Sequence, residues 1–520
     1  MKFREIFIAF TLAVITAAAL QFFLGRYTTS DNGEITRSGQ RFSAPKSTDM
    51  QMYKPLNLEV DFTDIKSTKQ PIVTVLKTDH ALYEFTTDGA ALSRLEFTRN
   101  YGGKEQLIST VFPPAATDRE RSCFLVALDQ QTPYVFEFVD QQENDQMYSL
   151  SYKASINNGA LLKKFNVYKH EHRIDLEVAL QLAQGAPANQ ARIFIPAPLV
   201  PELAGEDAVT GLANDDRNKI LILPRTAETT SSYWSRPTLF GAQDRYFVHA
   251  MVNDQQQFTQ RGYFKAIDLE GWFAILEGPQ VTTDSSWKLT FFMGPKEDHA
   301  INQVDSRLEQ TLNYGFFSFI SKPLSKLMLR ALDLIYGVVH NYGWAIIILT
   351  ILLKLLLLPF TWRGEQSMKL RLEYQKKLSY IESKYKHDKE TLAHERAELV
   401  RKYGMPGMAG CLPVLLQLPI FWALSIVLAN SIELYKAPFL WIPDLSARDP
   451  YYILPVLVAI GMVLHAPAIA DTKQRLSSVA MALLIAALIS SFSSGLALFT
   501  VVSTFLGVAQ AQLMKVMKHD

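Results

Sequence analysis

The sequence predicts an α-helical membrane protein with six transmembrane helices, a large β-sandwich domain on one side of the membrane and a helical hairpin on the other. Three observations predict this: long uncharged apolar runs, a long stretch of strand-like alternation, and a basic segment with helical spacing. Lys and Arg number 52 against 51 Asp and Glu, so the net charge of +1 argues against a nucleic-acid binder. Two cysteines exclude a disulfide framework.

The first apolar run extends from Ile6 to Leu24 and follows two basic residues. A cleaved signal peptide is the alternative interpretation. The length of the run favours an uncleaved anchor over residues 1–25. Residues 26–56 are polar without periodicity, which predicts a flexible linker.

The remaining spans are predicted in the last third of the chain, from the apolar regions 342–360, 411–429, 451–470 and 476–514. The last region is too long for one span, and its serine cluster predicts a turn between two spans. Residues 361–403 carry 11 Lys and Arg against 7 Asp and Glu, whereas the loops on the other side are acidic or neutral. The positive-inside rule therefore predicts that both termini are cytoplasmic and the large domain is outside.

The large domain is predicted over residues 57–300. Apolar residues alternate with polar ones from Ile174 to Leu180, and Asp88-Gly89 between two apolar runs is a hairpin signal. Many short strands with turn signals predict a β-sandwich. His170-Glu171-His172 is a weak metal candidate and is interpreted as an exposed turn between strands.

Residues 301–340 are predicted to form a helical connector and an amphipathic helix. Apolar residues recur at three- and four-residue steps from Phe316 to Ile335, and basic residues lie elsewhere on the helix. A helix lying in the membrane interface is favoured because it leads directly into the second span. A helix packed on the sandwich is the alternative.

A cytoplasmic helical hairpin is predicted over residues 361–405, with its turn at residues 386–389 and Asp388 capping the second helix. Arg363-Gly364 and the glycines after Tyr403 are predicted to be flexible joints. Its charges fit a solvated surface equally well as contact with anionic lipid, the ribosome or other partners.

Lys354 lies inside the second span, where a charge costs roughly 2.5–3.5 kcal/mol on insertion scales. Its side chain either snorkels to the cytoplasmic interface or faces a water-filled cavity, and the sequence leaves both open. Other polar residues occur at similar depths: Thr350, Gln417, Ser491 and Thr500. Phosphate-binding glycine motifs and zinc-protease motifs are absent, so we predict no catalytic residue, no cofactor and no metal.

The last third resembles the YidC family of membrane protein insertases, in its long Gram-negative form. The matching motifs lie at residues 343–348, 410–413, 417–424, 437–446, 449–455 and 494–496. The resemblance implies a five-helix insertase core over residues 341–520. Its hydrophilic groove would open to the cytoplasm and the lipid and be closed to the periplasm. It also implies that the outer domain is a periplasmic β-supersandwich similar to mutarotase folds.

The resemblance further implies a function: inserting and helping to fold inner-membrane proteins without nucleotide hydrolysis. Nascent inner-membrane proteins would be the clients, with the Sec translocon, membrane lipids and the ribosome as further partners. The sequence ends without a basic tail, which weakens the expectation of ribosome docking. A polytopic transporter and a membrane-anchored periplasmic carbohydrate-binding protein are the competing hypotheses.

The groove residues follow from the same resemblance. Lys354 takes the place of the family's usual arginine, which keeps the charge but loses the bidentate fork. Gln417 matches a groove-lining glutamine. Ser491 and Thr500 stand where relatives often have Trp and Tyr, so a wider and wetter groove is expected there. With Thr350, these residues form the predicted substrate groove.

Overall fold

The computed structural model describes residues 70–101, 104–111, 122–128, 135–198, 209–214, 218–266, 272–312, 314, 318–386, 388–403, 412–465 and 472–516. The predicted N-terminal anchor and linker lie outside the described residues. The chain divides into two compact units that meet between Asn313 and Tyr314. We refer to them as the β domain and the helical unit.

The β domain is built from strands connected mostly by short turns. In the described part of the chain the strands are β1 (Val73–Lys77), β2 (Ala81–Thr86), β3 (Ala91–Tyr101), β4 (Lys104–Val111), β5 (Leu125–Leu128), β6 (Glu137–Glu143), β7 (Met147–Ile156), β8 (Gly159–Tyr168), β9 (Arg173–Leu182), β10 (Asn189–Pro196), β11 (Thr210–Asn214), β12 (Ile220–Leu223), β13 (Tyr233–Ser235), β14 (Phe240–Gln243), β15 (Phe247–Asp254), β16 (Arg261–Ala266), β17 (Trp272–Val281) and β18 (Ser285–Pro295). A short helix, α1 (Ala227–Ser231), precedes β13.

The strands form three antiparallel sheets. Their orders are β1-β2-β3-β4, β13-β16-β17-β10-β5 and β12-β11-β14-β15-β18-β9-β8-β7-β6. The predicted alternation is confirmed in β9, where the four aliphatic side chains from Ile174 to Leu180 are fully buried. The predicted hairpin at Asp88-Gly89 joins β2 to β3, and Gly89 has a φ of +69°. A Cβ atom at Gly89 would lie 2.3 Å from Leu125 Cδ2, so this turn needs glycine.

The packing of the β domain continues beyond residue 300. Helix α2 (Asp298–Val304) and a 3₁₀ turn (Ser306–Thr311) follow β18. Ile301 and Leu308 are fully buried in a cluster with strand residues such as Phe292. The hydrophobic core of this domain therefore includes the first helical turns of the connector.

Two histidines are buried in the β domain. Burial lowers the pKa of His172 to about 3 and that of His249 to about 4. His249 contacts Pro196 O at 3.0 Å and Thr110 Oγ1 at 3.2 Å through its two ring nitrogens. The interpretation of His170-Glu171-His172 as an exposed turn is wrong for His172, whose ring packs among aromatic side chains.

These histidines predict an acid-sensitive β domain. An unfolded histidine titrates near pH 6.5, so between pH 6.5 and 3–4 the unfolded chain binds protons that the folded domain does not. The free energy of unfolding is therefore highest above pH 6.5 and decreases as the pH falls below that value. At pH 5 we expect each buried histidine to lower the free energy of unfolding by about 2 kcal/mol relative to pH 7.5. Urea unfolding of residues 70–312 at pH 7.5 and 5 measures this.

The exposed His299 provides the matched control. The substitution His249→Gln should reduce the loss of unfolding free energy between these pH values, whereas His299→Gln should leave the loss unchanged. An equal pH dependence of the unfolding free energy in both variants would show that the buried His249 is not a source of the acid sensitivity.

The helical unit contains described helices of 13 to 43 residues. In chain order the described helices are α3 (Ser318–Val339), α4 (Tyr342–Lys384), α5 (Lys389–Tyr403), α6 (Leu412–Asn430), α7 (Ile453–His465), α8 (Thr472–Ile489) and α9 (Ser494–Val516). A 3₁₀ turn (Ile432–Leu434) lies between α6 and α7. By length and composition, Tyr342–Pro359 and Ser494–Leu513 can each cross a membrane, and three shorter described helical segments are also apolar.

Local predictions for the helices can be compared with their bounds. The predicted turn between the last two spans is confirmed, because α8 ends at Ile489 and α9 begins at Ser494. The capping role of Asp388 is confirmed, because its carboxylate accepts hydrogen bonds from the N–H groups of Glu390 and Thr391. The predicted joint at Arg363-Gly364 is wrong: α4 continues through it for 43 residues. One glycine costs a helix only about 1 kcal/mol.

Helix α3 packs on its own unit through one face. Met328 and Leu332 are buried, and Ser325 Oγ donates to Ala423 O of α6 at 3.1 Å. Leu334 and Val338 remain exposed. An apolar face is therefore left outside this packing, as expected for a helix in contact with lipid.

Candidate substrate groove

The first five turns of α4 have a buried face and an exposed face. Ile346, Leu349 and Leu353 are buried and recur at three- and four-residue steps. Leu355 and Leu356 are more than half exposed. In a membrane the exposed leucines would contact lipid, and the buried stripe packs against α3, α6 and α9.

Thr350 lies on the buried stripe and is only 1% exposed. Lys354 follows it by one helical turn and is partly exposed. The charged side chain therefore lies on the flank of the face that packs against other helices.

The predicted groove positions fall at two depths along the helices. Thr350 and Thr500 lie about 12 Å and 9 Å from the first residues of α4 and α9 at 1.5 Å per residue. Lys354 lies about 18 Å from the first residue of α4, and Gln417 about 20 Å from the last residue of α6. The starts of α4 and α9 and the end of α6 adjoin one folded loop, described below. Lys354 and Gln417 thus share the deeper level, while the Gln417 side chain lies outside the described residues.

Ser491 lies apart from the other four positions. It occupies the turn between α8 and α9, just before the first residue of α9, whereas Lys354 lies about 18 Å from the first residue of α4. The structure therefore does not bring Ser491 to the level of the charge.

The hydroxyl groups at these positions bond to their own helices. Thr350 Oγ1 donates to Ile346 O at 2.6 Å, and Thr500 Oγ1 donates to Leu496 O at 2.8 Å. Ser491 Oγ donates to Leu488 O at 2.7 Å. Each hydroxyl proton is thus committed to the backbone, and the oxygen lone pairs remain as acceptors.

A folded loop over residues 431–452 closes one end of the helical unit. Ser494 N–H donates to Ala447 O at 2.7 Å, and Gly495 N–H donates to Leu445 O at 2.8 Å. These bonds satisfy donors at the start of α9 that have no partner within the helix. The sequence prediction used only the charge of this loop, which indicates the side of the membrane. The loop's apolar residues are the signal that could have predicted its packing, because Leu434, Phe439 and Leu445 are buried.

No group of three His, Cys, Asp or Glu side chains is placed to hold a metal ion in the described ranges. His170 instead contacts Asp79 at 2.7 Å.

Comparison with protein-family models gives two adjacent matches. The 60Kd inner membrane protein model matches residues 334–520, and the YidC periplasmic domain model matches residues 221–327. Together they cover more than half of the chain. The chain belongs to the YidC family. The family resemblance is thereby confirmed, and with it an inner-membrane protein with a helical region and a periplasmic β-sandwich domain.

Curated YidC relatives match this chain in part. The membrane protein insertase YidC of Geotalea uraniireducens is 39% identical over 278 residues, which cover 51% of this chain and 51% of the relative. That of Thioalkalivibrio sulfidiphilus is 39% identical over 224 residues, covering 42% and 40%. The chain spans about half the length of the curated relatives it matches. A crystal structure of an active YidC insertase is 16% identical, and the match covers 86% of this chain and 93% of that chain with a TM-score of 0.36.

Proposed function

We propose that this chain is a membrane protein insertase and chaperone. It inserts and helps to fold inner-membrane proteins through a hydrophilic groove open to the cytoplasm, without hydrolysing nucleotides. Membership of the YidC family supports this, as does the name insertase given to the curated relatives. The observation that carries the proposal is the partly exposed Lys354 beside the buried Thr350, at the depth of Gln417.

The proposed topology has six spans, with both termini in the cytoplasm of a Gram-negative bacterium. An anchor over residues 1–25 and a linker over 26–56 precede the β domain. The hairpin over residues 361–405 is cytoplasmic. The excess of Lys and Arg in that segment supports this orientation. The apolar helices from Tyr342 onward supply the five remaining spans.

The groove offers two kinds of recognition. Lys354 attracts an acidic segment of the client, and its field is strong because apolar helices surround it. The hydroxyl oxygen of the partly exposed Thr500 accepts hydrogen bonds from peptide N–H groups, since its own proton is committed to the helix, whereas the buried Thr350 packs beneath the groove surface. A polar client segment therefore finds partial replacement for water inside the membrane.

Release is driven by the lipid. The apolar segment of a client gains roughly 25 cal/mol for each Å² that leaves water. Once that segment has moved into the bilayer beside the exposed face of α4, the polar segment completes its crossing. The groove lowers the barrier for the polar segment only, so no nucleotide is required.

Partners beyond the clients are also proposed. The hairpin presents exposed charged residues on α5, which suits anionic lipid head groups or the ribosome. The Sec translocon is proposed as a partner on the strength of family membership alone.

Deletion of the β domain separates insertase from carbohydrate-binding function. Because Ile301 and Leu308 belong to the β-domain core, the deletion should remove residues 70–312 rather than end before α2. We expect the shortened chain to support insertion of a single-span client in cells depleted of their own insertase. A carbohydrate-binding protein would lose its function with this domain.

Protease protection of the client's outer segment measures insertion. The full chain at equal abundance in the membrane is the control for the deletion. If the full chain itself fails to support insertion although it reaches the membrane, the proposed function is wrong.

A further inference from the structure

The loop over residues 431–452 is folded, and we call it the cap loop. Phe439 and Ile442 exchange two backbone hydrogen bonds of 2.8 Å, and Leu445 N–H donates to Ala437 O at 3.0 Å. The Asp449 carboxylate accepts bonds from Leu454 N–H at 2.7 Å and Trp441 Nε1 at 3.2 Å. These bonds fix which side chains of the loop point inward and which point outward.

One aliphatic side chain at the tip of this loop points outward. Leu440 lies between Phe439 and Ile442 and is 72% exposed, whereas both flanking residues of the bridge are buried. Its φ of +50° is a left-handed conformation that is rare for leucine. The fold therefore holds an apolar side chain out of its own core at the expense of backbone strain, which marks a candidate contact surface.

Aromatic side chains share this end of the helical unit. Trp344, Tyr451 and Tyr452 are each more than half exposed. Tyr452 also has a positive φ, of +56°. Exposed aromatic residues near the end of an apolar helix are typical of the boundary between membrane and water.

The position of the cap loop along the membrane normal follows from its packing on α4. The Phe439 ring meets the Trp344 ring edge to face, with 5.7 Å between the centroids. A Cβ atom at Gly343 would lie 2.1 Å from the Phe439 ring, so this ring packs directly against the backbone of α4 at Gly343. Gly343 and Trp344 are the second and third residues of the apolar segment Tyr342–Pro359. The loop tip is therefore held at the level where a span begins.

We infer that the cap loop is a membrane anchor that contacts the periplasmic leaflet of the bilayer. The Leu440 side chain inserts among the upper acyl carbons, and Trp344, Tyr451 and Tyr452 lie among the head groups. The partner is phospholipid, because the exposed side chains are apolar or aromatic and lie at the height of the interface. The inference rests on the proposed topology, which places this loop on the periplasmic side.

Fluorescent labelling tests this in the full chain. The variant Leu440→Cys, in a background that also carries Cys123→Ala and Cys411→Ser, is labelled with an environment-sensitive dye. The labelled chain is reconstituted in vesicles of phosphatidylethanolamine and phosphatidylglycerol. We expect a nitroxide on the upper acyl chain of the lipid to quench this dye at least twofold more than aqueous iodide does. Ala447→Cys is the matched control, since Ala447 is exposed in the same loop.

The control label is expected to show the opposite preference, with stronger quenching by iodide. Equal quenching patterns at positions 440 and 447 would overturn the inference. Protection of position 440 from iodide in native membranes, without quenching by lipid nitroxide in the vesicles, would also overturn it and indicate a protein partner. Insertion by the same vesicles is measured in parallel, so loss of the anchor and loss of the proposed function are distinguished.

Discussion

Replacing Lys354 with glutamate is expected to abolish insertion of clients whose translocated segment is acidic. Two like charges brought together in a site of low polarity repel by several kcal/mol, and each 1.4 kcal/mol on the barrier slows the reaction tenfold. We therefore expect a loss of at least about a hundredfold. Lys354→Arg keeps the charge and should keep activity. The fraction of client protected from protease in reconstituted vesicles measures both variants.

Lys354→Gln distinguishes the groove from snorkelling. In the groove, the neutral side chain should slow acidic clients roughly tenfold and leave clients with a neutral segment unchanged. If Lys354 only snorkels to the interface, glutamine should function normally with every client. A client with a basic segment is the matched control with the opposite expected result, because Lys354→Glu should insert it better than the unmodified chain does. Full activity of Lys354→Gln on acidic clients would refute the groove mechanism.

Local signals in the sequence were sufficient to predict several elements. The serine cluster before α9 predicted a helix break, and Asp388 predicted a helix start, because both depend on residues only a few positions away. The alternation in β9 predicted a strand with one buried face. The aspartate in that strand is also fully buried, because Arg173 and Thr290 bond to its carboxylate. The alternation of apolar residues in β9 could not show that Thr290, on β18, would bond to this aspartate.

Packing between distant segments was not predictable from the sequence. The cap loop depends on bonds from Ser494 and Gly495 to carbonyls about fifty residues earlier, and no local pattern encodes those bonds. Gly364 predicts a joint, but α4 continues through it, because a single glycine is a small cost in a long helix. For the proposed groove, the sequence shows polar residues within apolar segments, and the structure shows the positions of Thr350, Lys354 and Thr500 along their helices.

Lys163 illustrates the same point in the β domain, because nothing in the sequence distinguishes it from Lys164. Its side chain is fully buried, and Nζ donates to Gly89 O at 2.9 Å, Ala90 O at 2.5 Å and Phe124 O at 2.6 Å. Ala90 and Phe124 both have positive φ angles. The Lys163 Nζ group thus contacts three carbonyls from two distant segments of the chain, while burial lowers the pKa of this amino group well below its usual range.

Lys163→Met is expected to lower the unfolding free energy of the β domain by about 3–5 kcal/mol. Methionine fills a similar volume but offers no donor, so three buried carbonyls lose their partner. Urea unfolding of residues 70–312 measures the loss. Lys164→Met is the matched control, because Lys164 is partly exposed on the same strand, and we expect it to cost less than about 1 kcal/mol. Equal midpoints for the two variants would show that the buried amino group of Lys163 does not stabilise the fold.

The same substitution separates folding from insertion in the full chain. The β domain is expected to be dispensable for insertion, so Lys163→Met should make that domain sensitive to protease without slowing insertion by the molecules that remain in the membrane. Activity is therefore compared at equal abundance of the helical unit, measured by antibody against the C-terminus. A loss of insertion at equal abundance would mean that the folded β domain takes part in the reaction, because Lys163 is buried in that domain and cannot contact a client.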